Sequence, residues 1–116
     1  MSKEIIKLSE EEITTLKELQ PPLFFQNDFD LVYESQVPNV GLVFLQGEVK
    51  LLKKKKVLDS LPIGSMVGLY HLIHNTPLPM GIKICRNSSV LMLEKSAILE
   101  ALSAKSGALY QIISSL

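Results

Sequence analysis

His71 and His74 stand three residues apart and could share one helical face. A metal site normally needs about three protein ligands at suitable spacing. No Cys or carboxylate lies near this pair in the sequence, so they are read as partly exposed loop histidines. Cys85 falls within a predicted strand, where a buried, inert thiol is the ordinary outcome. No Ser–His–Asp ordering, Gly-rich Walker loop or HxxE-type metal set can be placed. The expectation is a protein that is not an enzyme and carries no cofactor.

The most informative stretch runs from Leu61 to Ile84, LPIGSMVGLYHLIHNTPLPMGIKI. It reads as a tight turn, a one-turn helix, a Pro-bracketed loop and a strand, a frame able to cradle a phosphate. The candidate pocket residues are Gly68, Leu69 and Tyr70 at its start and Met80, Gly81 and Lys83 at its exit. Free backbone N–H groups at a short helix start near Leu69 could hold an anion; the ordinary alternative is that loop carbonyls or water cap them. Lys83 and Arg86 are the nearest cations in sequence. Strand alternation puts residue 83 opposite Ile82 and Ile84, so if the isoleucines face inward the lysine faces solvent.

Twelve basic and twelve acidic residues cancel, leaving no long-range field to draw the chain onto nucleic acid or an anionic membrane. Lys53 to Lys56 form a charged run, but no aromatics interleave with it and the chain has no Trp. It is read as a solvated hairpin tip that blocks edge pairing. A length of 116 residues with 47% hydrophobic and 21% charged content fits one folded domain with a real core. The single cysteine fits a reduced compartment, and neither a signal peptide nor an apolar run long enough to span a bilayer is visible. A soluble, cytoplasmic protein is expected.

The elements that would position these residues follow from pattern. Ser9 and Glu12 have capping-box spacing, Leu8 and Ile13 fit a hydrophobic staple, and Pro21 and Pro22 stop the helix. Leu31 to Tyr33 is β-prone, and Asn39-Val40-Gly41 reads as a turn. Val43, Leu45, Val49 and Leu51 alternate with Phe44, Gln46, Glu48 and Lys50, which suits a half-buried strand pair bent at Gly47. Val57 to Leu61 returns as the next strand. Ile82 to Arg86 and Ser89 to Glu94 read as a hairpin turned at Asn87-Ser88. Ser96 is the expected N-cap of a helix through Leu102, and Gly107 precedes a last helix. Helix, about eight short strands and two helices imply one mainly β domain. Its expected parts are an N-terminal helical region (1–22), a β roll (23–94) and C-terminal helices (95–116).

The segment Gly41-Leu-Val-Phe-Leu-Gln-Gly47-Glu-Val-Lys-Leu51 resembles a strand-turn-strand signature of the cyclic nucleotide-binding domain family. Leu61-Pro-Ile-Gly64, Val67-Gly68-Leu69 and Pro79-Met80-Gly81 follow in that family's order, at the places of its Gly turn, its "FGE" cassette start and its "PRA". Ser89 to Glu94 plus a helix is similar to its closing strand and hinge helix. The resemblance covers roughly residues 10 to 105. It implies a jelly-roll (double-stranded β-helix) domain with N- and C-terminal flanking helices. In that family an acid accepts from the ribose 2′-hydroxyl and an arginine pairs with the cyclic phosphate. The matching positions here hold Leu69 and Met80, which can do neither. Losing one partner of a buried charged pair costs about 2–5 kcal/mol, so ordinary cyclic AMP or cyclic GMP binding is not expected. Val67, Leu69 and Met80 are expected to fill the old pocket from inside.

Ala108, Leu109, Ile112, Ile113 and Leu116 make an apolar stripe on the last helix. It either packs on its own roll or meets a partner helix, as in the helix-mediated dimers of the resembled family. With the sequence ending at Leu116, no helix-turn-helix output domain is expected. The reading is a non-catalytic regulatory or adaptor module in signalling. Its partner, another protein or a second copy, would bind through Leu109, Ile112, Ile113 and Leu116, without nucleic acid or membrane and with a small-molecule ligand doubtful. The alternative is a sensor for a non-standard cyclic nucleotide or other anion.

Overall fold

A computed structural model describes residues 5–114. The chain runs β1 (Ile5–Lys7), α1 (Glu10–Leu19), β2 (Leu23–Phe25), β3 (Phe29–Val32), β4 (Val40–Gln46), β5 (Val49–Lys53), β6 (Lys56–Ser60), β7 (Ser65–Val67), α2 (Leu69–His74), β8 (Gly81–Ile84), β9 (Ser88–Glu94), α3 (Lys95–Ala104) and α4 (Ala108–Ile113). Two antiparallel sheets result. One has the order β1-β7-β4-β9-β2 and the other β3-β8-β5-β6. Among the described residues no helix is long and apolar enough to cross a membrane.

The sheets face one another across an apolar core that includes Leu42, Phe44 and Val90 from the first and Val49, Leu51 and Ile82 from the second. A second core lies on the other side of the first sheet. There Val43, Met66, Leu91 and Leu93 meet Leu16 of α1, Leu69 and Leu72 of α2, Ile98 of α3 and Ile113 of α4. The central strands β7, β4 and β9 of the five-stranded sheet are therefore buried on both faces, and β8 and β5 of the four-stranded sheet on one. This explains their sequences: β4 is buried at four consecutive positions from Gly41 to Phe44, while β5 alternates between buried and partly exposed positions.

The capping box at Ser9 is present in full. Ser9 Oγ accepts from the Glu12 N–H at 3.1 Å, and Glu12 Oε1 accepts from the Ser9 N–H at 2.9 Å. Leu8 is buried and joins Leu16 in the outer core.

Several sequence expectations are corrected. Nine strands are present among the described residues, and one of them, β1, precedes the first helix and pairs with β7. Val40 and Gly41 belong to β4 rather than a turn. The β4 and β5 segments are not a pair: β4 lies between β7 and β9, and β5 between β8 and β6. Likewise β8 and β9 form no hairpin, because the chain passes from one sheet to the other through 85–87. Gly47 (φ 101°) and Asn87 (φ 64°) are left-handed at these crossings, the same local chemistry that a hairpin turn uses. The α3 N-cap is Glu94, and Ser96 lies inside the first turn. His71 and His74 sit on α2, not in a loop.

Candidate functional site

Met66, facing the helices, and Val67, facing the inter-sheet core, end β7, and Gly68 turns the chain into α2. Its φ of 89° places it in the left-handed region, and a Cβ there would lie 3.2 Å from the Val40 carbonyl oxygen. The Gly68 carbonyl then accepts from the Leu72 N–H at 2.9 Å. Asn75, also left-handed, caps the other end, and the Thr76 N–H donates to the His71 carbonyl at 2.9 Å. This six-residue helix is thus entered through Gly68 and closed at its C-terminal end by backbone hydrogen bonds.

The loop that follows is tied down as well. The Ser35 N–H donates to the Leu78 carbonyl and the Leu78 N–H donates to the Gln36 carbonyl, each at 2.8 Å. This two-way link fixes Leu78 and Met80 at the rim of the inter-sheet core, where both are buried. Gly81 follows at the start of β8. A Cβ on it would be 3.2 Å from the Val32 carbonyl oxygen, so the end of β3 closes directly over it.

The candidate residues divide between three environments. Met80, with Val67, belongs to the core between the sheets. Leu69 does not: it points the other way, onto Gly41 and into the core beneath the helices. Its Cδ1 would be 3.1 Å from a Cβ on Gly41. The expectation that Leu69 fills the roll from inside is therefore corrected. The reason is geometric: Gly41 faces the helices together with Val43, and the first residue of α2 drops into the space that the missing side chain leaves.

Lys83 belongs to the third environment, the outer face of the four-stranded sheet. Ile82 and Ile84 are buried and Lys83 is half-exposed, as alternation requires. Its ammonium lies 3.8 Å from Asp28 Oδ2, and the Arg86 N–H donates to Asp28 Oδ1 at 2.8 Å. That backbone hydrogen bond, helped by the positive charges of Lys83, Arg86 and Lys50, holds the Asp28 carboxyl below its ordinary range despite some desolvation. The Lys83 ammonium thus belongs to an acid on the outside. Cys85 lies just past the end of β8 rather than within a strand and is half-buried, and burial pushes its thiol up, away from thiolate chemistry.

Tyr70 and the two histidines form a small ring cluster on α2. The Tyr70 centroid is 4.3 Å from that of His74 and 5.4 Å from that of His71. His71 Nδ1 is 2.9 Å from Thr76 Oγ1, which ties the helix to the loop behind it. Among the described residues no group of three metal-ligating side chains forms.

The last-helix residues lie on the helical side of the molecule. Ile113 is fully buried in the outer core, and Leu109 and Ile112 are half-buried against it. Leu116 lies outside the described residues.

No protein-family model matches the sequence, and no curated protein does. The backbone is much better matched than the sequence. A protein of a cyclic-GMP-dependent signalling pathway that regulates bacterial phytopathogenesis superposes with a TM-score of 0.74 at 12% identity, over 95% of this chain and 91% of its own. A putative cyclic nucleotide-binding protein from Geobacter metallireducens gives 0.65 at 18% identity, over 93% and 80%. The Thermus thermophilus catabolite activator protein gives 0.65 at 14% identity, over 93% of this chain and 52% of that one. The chain has the fold of a cyclic nucleotide-binding-like domain, a β jelly roll with flanking helices.

Proposed function

We propose that this domain is a non-catalytic regulatory or adaptor module, cytoplasmic, that works through a protein partner or a second copy of itself. In this reading it does not take cyclic AMP or cyclic GMP in the way that its fold was built to allow. The observation that carries the reading is the place of Met80. It lies buried at the rim of the inter-sheet core, next in sequence to the Gly81 that the end of β3 covers. A cyclic phosphate brought there would meet a thioether and neighbouring aliphatic side chains. A desolvated anion without a charged partner is strongly disfavoured.

The alternative, a sensor for an unusual nucleotide or other anion, requires a cation turned into the roll. Lys83 instead engages Asp28 on the outer face, which favours the adaptor reading. Among the described residues of the α4 stripe, the part left for a partner is the half-buried pair Leu109 and Ile112, since Ile113 is committed to the domain's own core.

A thermal-shift screen against cyclic mono- and dinucleotides tests the choice. The adaptor reading expects no ligand to raise the unfolding midpoint. A shift that disappears in Lys83→Ala or Arg86→Ala would select the sensor. Intact-assembly mass measurement after capture from native lysate would then report whether the partner is another protein or a second copy.

A further inference from the structure

The helices all pack on the five-stranded sheet, so the outer face of the four-stranded sheet is left open. At one end of that face is a groove of about 490 Å³. Leu52 and Gly81, directly opposed in register, lie at its base. Tyr33, exposed over 63% of its surface, forms one wall. Lys54 and Lys55 at the β5–β6 tip form the other. Glu34 Oε1 accepts from the Lys54 N–H at 2.6 Å and so pins the tip to the β3–β4 turn.

Three observations point to an occupant. The floor and one wall are apolar or aromatic, which suits an anchoring side chain. The groove is bordered by the run Lys53 to Lys56, and among the described residues no carboxylate is ion-paired with Lys54 or Lys55. The other acid at the rim, Asp30, lies across from Lys83 in the β3–β8 register. Lastly, Lys54 (φ 54°) and Lys55 (φ 64°) are both left-handed. A two-residue hairpin turn of this kind favours Asn-Gly, and a lysine at either place is conformationally disfavoured. Solvating an edge strand does not require the lysines to occupy these two positions, because Lys53 and Lys56 already flank the turn.

We infer that this groove is a docking site for an acidic peptide segment of a partner protein, with one apolar or aromatic side chain anchored between Tyr33 and Leu52 and flanking carboxylates on Lys54 and Lys55. This surface lies on the opposite side of the sandwich from α4 and stands or falls independently of the α4 interface.

The test uses a fluorescein-labelled peptide with one central Trp flanked by Glu, and its Gln counterpart. Anisotropy should detect salt-sensitive binding of the Glu peptide only, with amide shifts in the ¹⁵N spectrum at Tyr33, Leu52 and Gly81. The double substitution Lys54→Asn/Lys55→Gly should raise the unfolding midpoint, since it supplies the favoured turn residues, while weakening the peptide about tenfold through loss of two charge pairs. Tyr33→Ala, at an exposed position, should weaken it with the fold intact. The inference is overturned by absence of binding, by equal binding of the Gln peptide, or by unchanged affinity in the double variant. It is equally overturned by shifts confined to α4, or by binding only to phosphatidylserine vesicles or inorganic phosphate.

Discussion

Ser88 sits directly on Gly47, and its hydroxyl holds the backbone of the next residue at both ends. Ser88 Oγ accepts from the Glu48 N–H and donates to the Glu48 carbonyl, each at 3.0 Å. Two of the places where the chain changes sheets, β4 to β5 and β8 to β9, are thereby locked together. A Cβ on Gly47 would come within 2.6 Å of the Ser88 Cα, and the φ of 101° disfavours any side chain there. Ser88→Ala should cost about 1–3 kcal/mol, the penalty for stranding a partly buried donor. Gly47→Ala should cost more, because strain and overlap add. Urea unfolding of the two variants checks both the sign and the order.

At the other end of the chain the capping box gives a smaller expected effect. Ser9→Ala removes the acceptor for the Glu12 N–H and should lower stability by about 1 kcal/mol. Ser9→Asp should retain most of the stability, since aspartate accepts the same bond. Thermal unfolding distinguishes the two variants.

Asp28 predicts a pH dependence. Its carboxyl is held below the ordinary range first by the Arg86 N–H and then by the surrounding cations. A depressed folded-state value means that its contribution to stability is present above the unfolded value, about pH 4. The contribution is lost as pH falls through the lower folded value. Wild type should therefore be more stable than Asp28→Asn at neutral pH, and the difference should shrink on acidification below about pH 4. Denaturant midpoints across that window provide the measurement.

Met80 tests the filled roll. Met80→Leu conserves volume and should cost less than about 1.5 kcal/mol. Met80→Arg places a guanidinium in a buried apolar setting with no acid beside it and should cost about 3–5 kcal/mol. If Met80→Arg were as stable as wild type, the rim would be wetter or more polar than its neighbours indicate.

Much of this fold was legible from periodicity. The capping box, the turn and short helix of the cassette and the outward place of Lys83 all follow from residue type and spacing. What escaped was sheet membership. Gly47 and Asn87 look like hairpin turns because a left-handed residue serves a turn and a sheet crossing equally well, and only partners far away in sequence decide between them. The same limit explains β4, whose burial on both faces depends on helices from both ends of the chain. Leu69 escaped for a related reason. Its direction is set by Gly41, a cavity 28 positions upstream, and nothing in the cassette itself records it. Strand β1 is three residues long and exists by pairing with β7, so its own sequence carries little period to read.

The account turns on whether the roll accepts a cyclic nucleotide. Isothermal titration calorimetry of the wild-type protein with cyclic AMP and with cyclic GMP measures this directly. The account predicts no heat beyond dilution for either. Saturable, micromolar binding of one of them would contradict it.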